Sequence, residues 1–253
     1  MMDLIRSELR RIWSRRMVRV LAVLSLVGSA VSVTIGAVNS HTGSGLQLFG
    51  LPDILRGTSF IVFVIGLVIG ASSVGADWQQ GTMATLLTWE PRRVRVFVTR
   101  AIVVTCFVFV LAVFLLAALS LMFAAGAALR GGTGETGSGW FSDVVGTIVR
   151  IGVASAVGAA LALAIGMVGR NTAAALGVVF GYLAIAESLL RALIPKISDQ
   201  LLSTNVVVFI DGHAGTSETG SVITVGRASI TMAVYAGVLL LIALVLFRTR
   251  DVT

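Results

Sequence analysis

The chain has 253 residues, 57% of them hydrophobic and only 12% charged, with a mean hydropathy of +0.99. An ordinary soluble domain carries about 25% charged residues, so a water-soluble globule is excluded, and so is a disordered chain, which needs low hydrophobicity. The net charge of +7 comes almost wholly from arginine, with Lys196 the single lysine, and one cysteine rules out an internal disulfide or a cysteine-based metal cluster.

In chain order, Leu4, Ile5, Leu9, Ile12, Trp13 and Met17 recur at helical spacing, with arginines over much of the remaining circumference. This predicts an amphipathic helix in the membrane interface, with Ile5, Leu9, Ile12 and Trp13 on its apolar side. It fits equally a basic anchor on acidic lipid and an elbow that borders a partner protein. Six apolar segments of membrane-spanning length follow, at residues 18–38, 57–76, 101–129, 144–168, 172–194 and 228–247. The first is too long for a signal-peptide core and reads as a retained anchor. Pro52, Pro91 and Pro195 fall between the spans. The whole of 1–253 therefore reads as a single all-α transmembrane domain.

The stretch 77–100 lies between the second and third spans. Residues 77–87 can form a helix with Asp77 near its start, where an acid complements the helix dipole. Gly81 and Thr82 then give a small flexible point, Leu86 and Leu87 an apolar pair, Pro91 a stop, and Arg92 and Arg93 an anchor for the next span. A plain connector could be far shorter, as 169–171 shows, so this loop is expected to offer a helical surface to a cytoplasmic partner, with an interfacial helix that has no partner as the alternative. Farther on, Cys106 sits in an apolar run and reads as a buried thiol.

Small residues recur at spacing four in three spans: Gly66 and Gly70; Ala154, Gly158, Ala162 and Gly166; Gly177 and Gly181. Such faces let helices approach closely, first within one subunit and alternatively at a dimer seam. Arg150, Glu187 and Arg191 fall inside spans, where charge is costly and usually paired. Glu187 and Arg191 can meet at i, i+4, and the short turn between the fourth and fifth spans puts Arg150 at a similar depth. A structural ion-pair cluster is expected, with substrate contact as the alternative. In the loop 195–227, residues 197–210 suggest a short interfacial or re-entrant helix and 211–220 a turn region; 130–143 is a Gly-rich turn.

Thirteen of the 19 basic residues lie in 1–19, 77–100, 169–171 and 248–253 if the N-terminus is inside. That bias predicts both termini in the cytoplasm, and it explains the charge without nucleic acid.

The order acid, three residues, Gly-Thr, Leu-Leu, Pro and Arg in 77–93 resembles type-two ABC (ATP-binding-cassette) exporter permeases, as do the six spans, the amphipathic start and the closing Phe247-Arg248-x-Arg250-Asp251. Asp77 stands where that family usually has Glu, and Arg100 where it often has Lys. The resemblance implies a coupling helix, formed by Asp77, Gln79, Gln80, Gly81, Thr82, Leu86, Leu87, Pro91 and Arg93, that docks on a separate ATPase. It implies two ATPase subunits, a second permease copy or related permease, and alternating access in the cell inner (plasma) membrane, in contact with membrane lipid. ATP and Mg would be bound by the partner, because this chain lacks a P-loop and its only lysine follows Pro195. No cofactor is expected in this chain. The mostly apolar spans favour a lipid-like or amphipathic drug-like cargo moved outward.

An ATP-independent channel or secondary transporter is the alternative, although no inverted repeat or interrupted pair of spans is evident. An ABC importer would need an E-A-A…G loop, for which 169–171 has no room. A membrane enzyme would need a cluster of catalytic groups. H-E-x-x-H and G-x-S-x-G are both absent, and His41 and His213 are too few for a metal site.

Overall fold

In a bilayer core an apolar run can satisfy its backbone polar groups only as a helix or within a closed barrel, and helices are what these runs form. The structure, a computed structural model, describes residues 2–39, 47–89, 92–130, 137–216 and 220–249; the side chains of 2–4, 37, 39, 84, 86, 87, 89 and 130 lie outside that description. Helix α1 (Met2–Ser14) is followed by α2 (Arg16–Asn39), α3 (Leu51–Gln79), α4 (Thr82–Trp89), α5 (Arg93–Arg130) and α6 (Trp140–Gly169). Then come α7 (Thr172–Gly181), a π-helical stretch (Tyr182–Ala186), α8 (Glu187–Leu193), a 3-10 stretch (Pro195–Gln200) and α9 (Leu202–Asp211). A small hairpin, β1 (Gly215–Thr216) with β2 (Val222–Ile223), leads into α10 (Val225–Thr249).

Six of these helical segments are long and apolar enough to cross a membrane: α2, α3, α5, α6, α7 through α8, and α10. Each expected span is present. Most run on past the apolar stretch, because helices continue through charged ends that hydropathy cuts off. Helix α5, with 38 residues, is about 57 Å long and so overshoots a hydrocarbon core of about 30 Å. Pro52 lies not between helices but in the first turn of α3, where a missing N–H costs nothing.

The expected helix over 77–87 is corrected. Helix α3 continues through Gln79, Gly81 takes a left-handed φ of +69° that ends it, and α4 begins anew at Thr82. The expected helix at 4–17 also ends earlier, with a one-residue break at Arg15 before α2. Arg15 turns its guanidinium onto the Ser72 and Ser73 carbonyls of α3, at the break between α1 and α2.

The bundle is centred on α6, whose apolar window is 78% buried, and on α3, 67% buried; α2 is only 6% buried. The small residues explain why. A Cβ at Gly66 would meet the Ser155 carbonyl, one at Gly70 would fall on the Ala159 carbonyl, and one at Gly75 on the backbone of Thr172. These faces therefore serve close packing of α3 on α6 and the start of α7, whereas Gly177 and Gly181 have no neighbour within 4 Å. Cys106, read from sequence as buried, is exposed on α5; the apolar run there supplies an outward face as well as a core face.

The turn from α6 to α7 is as tight as expected. Arg170 adopts φ 52°, rare for a residue with a Cβ, and its guanidinium lies 4.6 Å over the Trp78 ring, while Asn171 caps α7 by accepting from the N–H of Ala173. Trp78 also meets Phe247 of α10 edge-on. The end of α3, the start of α7, the end of α10 and helix α1 thus share one Arg-rich end of the bundle. At the opposite end, Arg56 joins the start of α3 to Asp143 of α6 at 3.1 Å.

Candidate functional site

The stripe of α1 facing the bundle reads Ile5, Glu8, Ile12 and, past the helix end, Arg15, with spacings of three and four. Two of these four carry charge, and they meet two more charged residues in the bundle. Asp77 is in the last turn of α3 and Arg100 is two turns into α5; they are 2% and 1% exposed. Arg100 Nη1 lies 2.9 Å from Asp77 Oδ2 and its Nη2 lies 3.0 Å from Glu8 Oε1. Arg11 Nη2 is 2.6 Å and Arg15 Nη2 3.0 Å from Asp77 Oδ1. Arg11 also donates to the Thr82 hydroxyl at 3.2 Å, and that hydroxyl donates to the Asp77 carbonyl.

Three guanidiniums thus surround two carboxylates, and the carbonyl end of α3 takes part of the excess positive charge. Burial lowers the pKa of Arg15, with Asp77 opposing the shift and Arg11 adding to it. The cluster ties α1, α3, α4 and α5 together at one point, so α4 cannot shift without loading Asp77 and Arg11.

The role expected for Asp77 is thereby corrected. It is not an exposed acid at a helix start; it is a buried acid at a helix end, where the dipole disfavours it and the arginines hold it. Gln79, Gln80 and Gly81 are exposed, and Gln79 donates to Asn171 at 3.2 Å. On α4, Thr82 is half-buried and tied as above, Met83 is buried, and Thr85 and Thr88 are exposed. Leu86 and Leu87 lie in α4 with side chains outside the described set, and Pro91 lies outside the described residues, as do His41, Arg250 and Asp251. Arg93 reaches the Phe247 and Arg248 carbonyls at 3.4 Å, at the end of α10. On α1, Ile12 is buried and Ile5 half-buried, while Leu9 and Trp13 face outward. Sequence reading passed over Glu8 because it scored α1 by its apolar residues. The available signal was Asp77 and Arg100 ending adjacent spans at one depth, which calls for a partner to each.

The second group of interest also takes a different form. Glu187, 1% exposed, accepts from the Ser203 N–H with both oxygens at 3.2 Å, and Arg191 Nη2 donates to the Ser203 and Thr204 hydroxyls at 3.3 and 3.2 Å. Arg150 instead reaches the Ile210 and Asp211 carbonyls at 3.4 Å. These contacts place an acid at the N-terminus of α9 and a base at its C-terminus, each opposite in sign to the local end of the dipole. The expected three-residue ion-pair cluster is thus divided between the ends of α9: Glu187 and Arg150 each meet the helix end of complementary sign, while Arg191 stays beside Glu187 at the first turn and is held by hydroxyls. Glu187, Arg191, Ser188 and Ser203 line a cavity of about 460 Å³ beside α8.

Gly212 closes α9 with φ +75°, and a Cβ there would run into the Arg150 guanidinium. Gly212→Ala is expected to cost about 2–4 kcal/mol, backbone strain plus displaced charge, read as a lower Tm of the purified protein in detergent. Gly220→Ala, with φ +78° and nothing nearby, should cost only the strain of about 1–2 kcal/mol.

Among the described residues no three His, Cys, Asp or Glu gather as a metal set. Six spanning helices around a small-residue core, with a buried ion cluster at one end, define a multi-pass α-helical membrane protein. Residues 18–253 match the family described as "Protein of unknown function (DUF2705)", and the chain belongs to that family. The match takes in Asp77 and Arg100 and begins after Glu8, Arg11 and Arg15. No curated protein matches the chain.

Proposed function

We propose that this protein is the membrane-spanning permease subunit of an ATP-driven exporter of the type-two ABC class. The observation that carries the reading is α4, an eight-residue helix between the second and third spans, whose first residue is bonded through Thr82 to the Asp77 cluster. A force applied to α4 by a partner would pass through that cluster into α1, α3 and α5. Two ATPase subunits would supply ATP and Mg, and a second permease copy or a related permease would complete the pathway. The Arg-rich end would face the cytoplasm of a cell whose inner membrane holds the protein, and the cargo would be lipid-like or amphipathic. In this reading the docking surface is Gln79, Gln80, Gly81 and the outward side of α4, with Asp77 serving behind it.

The test is co-purification of an ABC-type ATPase with the tagged protein. Gln80→Glu and Thr85→Arg change exposed positions. Together they are expected to reduce ATPase capture about tenfold or more, the scale of a like-charge or steric mismatch in an interface, with Tm unchanged. A preparation that contains no nucleotide-binding chain and transports without ATP would instead establish the channel or secondary-transporter reading.

A further inference from the structure

Successive residues of a helix point about 100° apart, and on α1 that rotation sorts the side chains into sectors. Ile5, Glu8 and Ile12 form the sector facing the bundle. Next around the helix come Leu9 and Trp13, 40% and 56% exposed, and Trp13 packs edge-on against Phe107 within the third span. That contact sets α1 at the edge of the membrane-spanning layer, with Leu9 and Trp13 as its lipid-facing sector. Arg6 and Arg10 follow, exposed, one turn apart and directly beside that apolar sector. Ser14, Ser7 and Arg11 complete the circuit. Arg6, Ser7, Arg10, Arg11 and Ser14 line one groove of about 610 Å³.

We propose that this groove binds the phosphate of an anionic phospholipid, whose acyl chains pass over Leu9 and Trp13. Three guanidiniums supply donors, Ser14 spends its hydroxyl on the Arg11 carbonyl, and no carboxylate lines the groove, so its charge suits an anion and opposes an ammonium group. Guanidinium and phosphate pair through charge-assisted, often bidentate hydrogen bonds. Placement beside the apolar sector selects a phosphate attached to acyl chains over a free one. Arg11 closes the far side of the groove while its Nη2 rests on Asp77, so the bound headgroup would lie next to the buried cluster. The inference requires only that the helices span a bilayer and is independent of the ATPase reading.

The test uses the full chain in nanodiscs of phosphatidylcholine with and without phosphatidylglycerol, with bound lipid counted by native mass spectrometry after release. Phosphatidylglycerol should be retained in preference to phosphatidylcholine. Arg6→Gln with Arg10→Gln should lower that preference about a hundredfold, two charge-assisted hydrogen bonds at ~1.5 kcal/mol each, with Tm unchanged because both side chains are exposed. Arg16→Gln with Arg92→Gln removes the same charge from exposed positions that do not line the groove; because only lipid held after release is counted, the preference should stay within about threefold of the wild type. Equal losses in the two pairs would mean diffuse attraction and overturn the site. Displacement of the lipid by millimolar inorganic phosphate would overturn the lipid as its ligand.

Discussion

Asp77→Ala is expected to destabilise the protein by about 3–5 kcal/mol, the cost of breaking a buried charge pair by removing one partner. Among the described residues, Asp77 is the one carboxylate in contact with Arg11, Arg15 and Arg100 together. Without it Arg100, 1% exposed, keeps only Glu8 as an ionic partner, and Arg11 and Arg15 crowd a site with excess positive charge. A lower Tm and loss of a monodisperse peak in detergent would be the readout. Arg100→Met should cost about 3 kcal/mol alone for the same reason. Combined with Asp77→Ala, it should cost less than the sum by about 1 kcal/mol or more, since one buried charge no longer faces an absent partner. Additive losses would show that the two side chains do not interact.

Gly70→Ala should cost about 3 kcal/mol, at the upper end of what overpacking a close helix contact costs. Its methyl would fall on the Ala159 carbonyl of α6, a backbone atom that cannot rotate away. Helices α3 and α6 would have to separate, opening the most buried seam of the bundle. Gly177→Ala provides the contrast: nothing lies within 4 Å, and alanine is favoured over glycine in a helix by up to about 1 kcal/mol. Thermal unfolding of the two variants in one detergent separates them. A destabilised Gly177→Ala would place the seam of a second subunit on α7.

The spans were legible because hydrophobic length is a property of the sequence: 20 apolar residues announce themselves without knowledge of their neighbours. The loop 77–100 was legible as a place where something other than a simple connection occurs, since α4 does stand there. What each residue of that loop does was not legible. Asp77 looked like a helix start because acids favour that position. The actual start, at Thr82, is set by Gly81 in a left-handed conformation and by the hydrogen bond that the Arg11 guanidinium, 71 residues away in sequence, donates to the Thr82 hydroxyl. Arg150, Glu187 and Arg191 were recognisable as buried charges needing partners. Glu187 and Arg150 found backbone groups at the two ends of α9, which carry no sequence signature, and Arg191 found the hydroxyls of Ser203 and Thr204.

By itself, then, the amino-acid sequence determined that the chain is a membrane protein of six apolar helices with its positive charge concentrated in a few segments. Only the tertiary structure decided which of those charges are solvent-facing and which are internal. Charge placement along a chain follows hydropathy, but the partner of a buried charge depends on which helix ends arrive at the same depth. The +7 net charge divides accordingly: Arg6 and Arg10 face outward beside an apolar stripe, while Arg15 and Arg100 turn inward to hold Asp77.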